Sequence, residues 1–155
     1  MASLEKVLEY ITPKTAEFEG FSAKVYKCPA GFNTIGYGRN IEANPLNAQE
    51  LAQLQNGEVS KEVALVWLKD ELERCYYRAC ELAWFRDLDN VARAGAVVDM
   101  IYNLGFLGFK KFVKFGEAMR KQDYIKAVQE LESSKWFKQV GFRAKAISKI
   151  IQLGC

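Results

Sequence analysis

A short glycine-rich segment of β type stands near the start of a chain whose other residues follow a helical period. Residues 23–42 carry β-branched and aromatic side chains, and they are interrupted by Pro29, Gly31, Gly36 and Gly38. This pattern predicts a small antiparallel sheet with tight turns. Because apolar positions repeat with helical spacing through most of the remainder, we expect an α+β fold in which helices predominate.

Composition excludes several classes of function. The chain has 155 residues, half of them hydrophobic, which is enough for one domain or for two small lobes. The net charge of +3 comes from interleaved acidic and basic residues, without the arginine-rich stripe expected of a nucleic-acid-binding protein. No histidine is present, so Ser-His-Asp and Cys-His nucleophilic sites are excluded.

The cysteines and the N-terminus indicate where the protein is made. No Cys-x-x-Cys pair occurs, so we interpret all four cysteines as reduced thiols and expect neither a metal site nor a cofactor. The first ten residues include Glu5, Lys6 and Glu9 and no apolar run. We therefore expect no signal peptide, no membrane insertion and synthesis in the cytoplasm.

Helical period and capping residues predict the remaining elements. We expect helices over 3–11 (followed by an interruption at Pro13), 14–18, 47–55 (ended by Asn56–Gly57), 60–83 (capped by Ser60), 91–104 (capped by Asn90), 110–120, 123–133, 134–140 and 142–153. This outline predicts an N-terminal α+β lobe over residues 12–59 and a connecting helix over 60–83. Residues 1–11 and 84–155 would then form a helical lobe.

Several short motifs follow one another in order along the chain. They are Glu19–Gly20, Thr34–Ile35–Gly36–Tyr37–Gly38, Arg93–Ala94, Met100, Asn103, Gly105, Lys135–Trp136–Phe137 and Arg143–Ala144–Lys145. Together they resemble the phage-type lysozymes, the endolysins of glycoside hydrolase family 24 that include the T-even phage enzyme. The resemblance implies a lysozyme-like fold with a cleft between two lobes. It also implies hydrolysis of the β-1,4 bond between N-acetylmuramic acid and N-acetylglucosamine in bacterial peptidoglycan.

The same resemblance assigns roles to single residues. Glu19 matches the general acid of the family, and Thr34 matches the first residue of its Thr-Ile-Gly-x-Gly strand, where the hydroxyl could hold the attacking water by a hydrogen bond. Tyr102 matches an aromatic residue that lines the cleft, and Arg143 matches an arginine that leans toward the acid. Asn40, just beyond the signature strand, is a further candidate for substrate contact. We expect a monomer that binds glycan strands and acts in the periplasm after release from the host cytoplasm.

Cys28 departs from the best-known members, which carry Asp at this position. Between Glu19 and Glu42 the chain contains no Asp or Glu, so no second carboxylate lies nearby in sequence. Cys28 could act as a base, as a nucleophile or as a polarisable neighbour of the cationic sugar, or it could simply hold the turn before Pro29. A thiolate would need a lowered pKa, which Lys24, Lys27 or Arg39 could supply.

Acid catalysis imposes its own requirement on Glu19. An exposed glutamate is ionised at neutral pH, so an acid at this position needs a raised pKa from partial burial beside Phe18, Phe21 and Tyr102. Two other functions remain open. A lytic transglycosylase would need Glu19 alone and would release 1,6-anhydro products, and a wall-binding homologue would have no activity.

Overall fold

The fold is mostly helical and carries one small antiparallel sheet near the N-terminus. The computed structural model describes residues 1–155, of which about 63% are helical, and it confirms the α+β class. The helices are α1 (Leu4–Glu19), α2 (Ala48–Ala52), α3 (Lys61–Ala79), α4 (Ala83–Arg86), α5 (Val91–Leu104), α6 (Phe106–Lys110), α7 (Val113–Arg120), α8 (Tyr124–Glu132), α9 (Lys135–Val140) and α10 (Phe142–Leu153). The strands are β1 (Ser22–Lys27), β2 (Asn33–Gly36) and β3 (Arg39–Asn40).

The chain forms two compact units. Residues 12–70, which include the sheet, make up one of them, and we call it the sheet unit. Residues 1–11 together with 71–155 make up the other, which we call the helical unit. Both α1 and α3 contribute residues to the two units. None of the helices is long and apolar enough to cross a bilayer.

Helix α1 runs through Pro13, where the sequence wrongly predicted an interruption. Proline lacks an amide hydrogen, so the helix loses one internal hydrogen bond at this point. Burial of Thr15 and Ala16 in the following turn compensates for that loss, because tertiary packing supplies most of the stability of a helix. The helix ends at Glu19 because Gly20 adopts a φ of 72° and donates its N–H to the Ala16 carbonyl at 3.0 Å.

The three strands pair in chain order, which confirms the predicted antiparallel sheet. β1 and β2 are joined by residues 28–32, and their register places Tyr26 opposite Thr34 and Lys27 opposite Asn33. β3 continues the sheet, with Thr34 opposite Asn40. One face is anchored by Ile35, which is fully buried against Val59, Ala64 and Trp67. The sheet therefore has a firm base in the core of its own unit.

Buried Arg39 ties β3 to the loop before α2. Its Nε donates to the Asn44 carbonyl at 3.1 Å, and its Nη2 donates to the Pro45 carbonyl at 2.9 Å. Nη1 donates to Glu50 Oε2 at 2.5 Å, and the guanidinium lies 5.3 Å from the centre of the Trp67 ring. These partners satisfy the buried charge in the way that burial of an arginine requires.

Helix α2 is shorter than the predicted 47–55. It begins after Asn47, whose side chain accepts from the Glu50 N–H in a capping box, and it ends at Ala52. Asn56 and Gly57, which were expected to end the helix, instead form a separate turn with φ values of 54° and 76°. Such φ values suit the asparagine and glycine found there.

Helix α3 begins after Ser60, as predicted, but ends at Ala79 rather than near Ala83. The Ser60 hydroxyl accepts from the Val63 N–H at 3.2 Å. At the other end, Leu82 donates its N–H to the Ala79 carbonyl at 2.9 Å, a tighter bond than the α-helical one. The chain then enters the short helix α4, which the sequence did not predict.

In the helical unit, capping residues set the helix starts. The side chains of Asn90, Asp123 and Ser134 accept from backbone N–H groups three residues later, at the starts of α5, α8 and α9. The predicted helix over 91–104 is confirmed, and Gly105 ends it with a φ of 76°. The helix predicted over 110–120 starts only at Val113, because residues 106–110 form the separate helix α6.

Candidate functional site

Glu19 is positioned by the end of α1 and by a glycine in the sheet. It is the last residue of the helix, and its side chain is half-buried. Its carboxyl lies against Gly38, between β2 and β3: a Cβ atom on Gly38 would lie 2.5 Å from Glu19 Oε2 and 2.8 Å from Cδ. Only glycine leaves room for the carboxyl here, so the Gly-x-Gly end of the signature strand forms part of its seat.

Gly38→Ala tests this seat. The added methyl group would overlap the Glu19 carboxyl, and Gly38 has a φ of 74°, which costs a non-glycine residue about 1–2 kcal/mol. Gly57→Ala is the matched control, because Gly57 has a φ of 76° and no atom near its missing Cβ. We expect similar losses of unfolding free energy from backbone strain and a large loss of wall-lytic activity for Gly38→Ala alone. Equal wall-lytic activities of the two variants would contradict the claim that Gly38 makes room for the Glu19 carboxyl.

Cys28 lies in the connection between β1 and β2 and is surrounded by hydrogen-bond donors. Its N–H donates to the Phe32 carbonyl at 2.9 Å, and its carbonyl accepts from the Gly31 N–H at 2.8 Å. The pKa of the Cys28 thiol is lowered, above all by the backbone of Phe32 and also by the backbones of Ala30 and Gly31 and the Thr34 hydroxyl. Donors of this kind stabilise the thiolate.

The cause of the lowered pKa differs from the prediction. The sequence suggested a neighbouring cation, yet hydrogen bonds account for the lowering at Cys28. The charge of Arg39 is bound to Glu50, and Lys24 Nζ lies 3.5 Å from Glu58 Oε1 on the surface. Sequence alone could not reveal this, because the donors come from the conformation of the 28–32 turn.

The thiols should differ in reactivity. Because its pKa is lowered, Cys28 forms the thiolate at a lower pH than an ordinary cysteine, so its alkylation rate should rise through a midpoint below the usual value. Burial raises the pKa of Cys75 to about 12, which keeps that thiol protonated. Iodoacetamide labelling at a series of pH values, read by peptide mass spectrometry, should modify Cys28 well before Cys75. The reverse order would contradict this environment.

Thr34 lies in the middle of β2 and is buried, with 3% of its surface exposed. Its Oγ1 donates to the Phe32 carbonyl at 3.0 Å, and the same hydroxyl contributes to the lowered pKa of Cys28. A hydroxyl has a single hydrogen, so Thr34 gives it either to this carbonyl or to a thiolate. The Thr34 hydroxyl therefore lies close enough to Cys28 to affect its thiol, and the assignment of both residues to one catalytic site stays a prediction.

Two neighbours extend this cluster in the sheet unit. Asn40 is adjacent to it in the sheet, but its Oδ1 accepts from the N–H groups of Glu42 and Ala43 at 3.0 and 3.1 Å and so stabilises the turn. Glu42, the first carboxylate after Glu19 in the chain, accepts from the Asn33 N–H at 2.5 Å. Both groups are therefore engaged with backbone, which gives Asn40 a structural role beside its predicted one.

The other two predicted residues belong to the helical unit. Tyr102 lies on α5 and is half-buried, one turn before Gly105. Arg143, near the start of α10, is buried and donates Nε to Asp99 Oδ2 at 3.0 Å and Nη2 to Asp99 Oδ1 at 2.8 Å. Asp99 is fully buried. A bidentate pair of this kind fixes the plane of the guanidinium.

Sequence reasoning missed two residues of these clusters. Asp99 was overlooked, although a carboxylate within the apolar stripe of α5 signals a buried ion pair. Tyr26 was treated only as a strand residue, yet its pKa is raised by burial and by the charges of Glu19 and Cys28. Its position two residues before Cys28 was the available signal, since alternate residues of a strand share a face.

Fold and candidate site together define the class of protein. A helix-terminal carboxylate seated on a small antiparallel sheet, within a mostly helical chain, is consistent with the lysozyme-like α+β fold. The sequence profile of the phage lysozyme family matches residues 16–149. The chain therefore belongs to the phage lysozyme family, whose members hydrolyse the bacterial cell wall, and its substrate class is peptidoglycan.

Proposed function

We propose that the protein is a muramidase of the endolysin type. It would hydrolyse the β-1,4 bond between N-acetylmuramic acid and N-acetylglucosamine, in the manner of glycoside hydrolase family 24. The observation that supports this most is the seat of Glu19: a half-buried carboxyl held against Gly38 in the unit that also contains the Cys28 and Thr34 pair. Family membership supplies the substrate class, and the residues supply the chemistry.

Glu19 is the proposed general acid. Its protonated carboxyl gives a proton to the glycosidic oxygen while the bond from that oxygen to the anomeric carbon breaks, and the bonding electron pair leaves with the oxygen. We propose that this carboxyl carries its proton before the transfer. Arg143, whose guanidinium is held in orientation by Asp99 within the helical unit, is the proposed orienting residue.

Cys28 and Thr34 are proposed to activate and orient the attacking water. The water oxygen adds to the anomeric carbon, and its proton passes to the Cys28 thiolate, which takes the place of the usual second carboxylate. The lowered pKa of Cys28 supports this assignment, because it increases the thiolate fraction at neutral pH. Thr34, which is buried and whose hydroxyl contributes to the lowered pKa of Cys28, would orient the thiol and stabilise its anionic form.

Substitution of Cys28 tests its role. Cys28→Asp restores a carboxylate and should retain wall-lytic activity, whereas Cys28→Ala removes the base and should lower activity by about 10²-fold or more. The measured quantity is the rate at which reducing ends form from purified peptidoglycan. Cys80→Ala is a suitable control, since that half-buried thiol lies on the helical unit. Full activity in Cys28→Ala would show that the thiol is only structural.

A lytic transglycosylase is the second candidate. In that reaction the muramyl hydroxyl attacks in place of water, so one acid suffices. The engagement of Glu42 with the Asn33 N–H favours it to this extent, because the next carboxylate in the chain is already bound. Such an enzyme would release 1,6-anhydro ends and no reducing ends, while a non-catalytic wall-binding protein would release neither.

We further propose that the protein acts as a monomer in the periplasm after release from the cytoplasm.

A further inference from the structure

The face of the β1–β2 hairpin that carries Cys28 and Thr34 also carries two aromatic side chains. Tyr26 is the cross-strand partner of Thr34. The same register continues into the connection and places Phe32 opposite Cys28, because the Cys28 N–H donates to the Phe32 carbonyl at 2.9 Å. Cross-strand partners project from one face, as do residues two apart on a strand. All four side chains therefore lie on one face of the hairpin.

Both aromatic side chains are open to solvent on this face. Tyr26 is 39% exposed and Phe32 is 45% exposed. The core of the sheet unit lies on the other face, because Ile35, which follows Thr34 on β2, is fully buried there. Neither ring is therefore needed to fill that core. Two exposed aromatic side chains beside candidate catalytic groups indicate a surface that binds a ligand.

Tyr26 and Phe32 border Cys28 on two sides. Tyr26 precedes it by two residues on β1, and Phe32 lies directly across from it. Diagonal neighbours of this kind, here Tyr26 and Phe32, are about 7–8 Å apart, within reach of each other for aromatic side chains. That separation is wide enough for one sugar ring with its substituents. A sugar bound at the Cys28 thiol would therefore meet both aromatic rings.

We propose that Tyr26 and Phe32 form a binding surface for the N-acetylmuramic acid ring whose anomeric carbon is attacked. The proposal rests on the proposed function, which assigns the attacking water to Cys28 and Thr34. That water approaches the anomeric carbon on the face opposite the departing oxygen. Groups beside Cys28 therefore meet the muramyl ring rather than the departing N-acetylglucosamine. The C–H groups of a pyranose ring pack on aromatic rings, while its hydroxyls stay hydrated.

Leucine substitutions test this surface, because leucine keeps apolar volume but has no flat ring. Tyr26→Leu and Phe32→Leu, each made in the Glu19→Gln variant to prevent turnover, should weaken binding of a soluble peptidoglycan fragment of two disaccharide units with stem peptides. We expect Kd to rise about three- to tenfold in isothermal titration calorimetry. Tyr26→Phe keeps the ring and should bind as tightly as the parent. Tyr77→Leu, at an exposed tyrosine of the helical unit, is the matched control and should leave Kd unchanged.

Proton NMR of the same complexes locates the bound sugar. The C–H protons of the muramyl ring should shift upfield on binding, because they lie over an aromatic face, and the shift should shrink in both leucine variants. Circular dichroism checks the fold of each variant, and Phe32→Leu, outside the strands, provides the test where Tyr26→Leu disturbs β1.

Unchanged Kd values in the folded leucine variants would overturn the proposal. A loss of binding in Tyr26→Phe would also overturn it, because it would indicate a hydrogen bond from the phenol instead of stacking. Upfield shifts confined to N-acetylglucosamine would contradict the assignment to the muramyl ring. Failure of the proposed function is distinguishable, because Glu19→Gln would then lyse walls at the wild-type rate whatever the Kd values.

Discussion

Glu19→Gln should abolish wall lysis while leaving the fold unchanged. Glutamine has nearly the same shape, so it can occupy the seat on Gly38, but it has no proton to give to the glycosidic oxygen. General acid catalysis contributes about 10²–10⁴-fold, and we expect a loss of at least that order in kcat. The measurement is the clearing rate of purified peptidoglycan, with circular dichroism and thermal melting to establish that the variant is folded.

Glu17→Gln provides the matched control for this experiment. Glu17 lies two residues earlier on the same helix and is exposed, so the substitution makes the same change of charge outside the seat. It should lyse walls at the wild-type rate. A Glu19→Gln variant that did so as well would contradict the assignment of the acid, whatever its effect on stability.

Asp99→Ala should be the most destabilising of the substitutions considered. It leaves the buried guanidinium of Arg143 without either of the carboxylate oxygens that now accept from it. Breaking a buried pair from one side costs about 3–5 kcal/mol of unfolding free energy. For a chain of this size that loss corresponds to a fall in Tm of about 10 °C or more. Thermal denaturation followed by circular dichroism measures it directly.

The exposed pair between Glu117 and Arg120 serves as the comparison. It has a similar separation of 3.0 Å, but both side chains are more than half exposed. Exposed pairs contribute only about 0–1 kcal/mol, so Glu117→Ala should change Tm by a few degrees at most. Equal effects of the two substitutions would show that burial of Asp99 does not stabilise the helical unit.

Local signals were sufficient for much of the fold. The glycine-rich run predicted the sheet because φ values near 70° at Gly36 and Gly38 are specific requirements of its turns. Asn90 and Ser60 predicted helix starts because their side chains bond to N–H groups three residues later. These features depend on residues close together in the chain, which is why a single sequence reveals them.

Elements that depend on tertiary packing were harder to predict. Proline normally interrupts a helix, yet α1 continues through Pro13 because neighbouring residues are buried. The short helices α4 and α6 lack a side-chain cap at their starts, so no local signal marks them. Their existence reflects the burial of Phe85 and Phe109 rather than the preferences of the segment.

The candidate site also combines features that the sequence predicted with features that depend on tertiary structure. The resemblance to phage-type lysozymes indicated Glu19, Cys28 and Thr34, and the Thr34 hydroxyl is one of the groups that lower the pKa of Cys28. The donors around Cys28, the pairing of Arg143 with Asp99 and the position of Tyr26 depend on backbone conformation and strand register. Such features arise from contacts between distant residues or from the shape of a turn, and residue types alone do not specify them.

The central claim is that Glu19 delivers a proton while water cleaves the wall glycan, and the products of digestion test it most directly. Purified peptidoglycan should be digested with the wild-type protein in water labelled with heavy oxygen, and the fragments reduced at once and analysed by mass spectrometry. We predict that each new end is a reducing N-acetylmuramic acid carrying one labelled oxygen, and that Glu19→Gln forms none. Ends that are 1,6-anhydro sugars and carry no labelled oxygen would contradict hydrolysis.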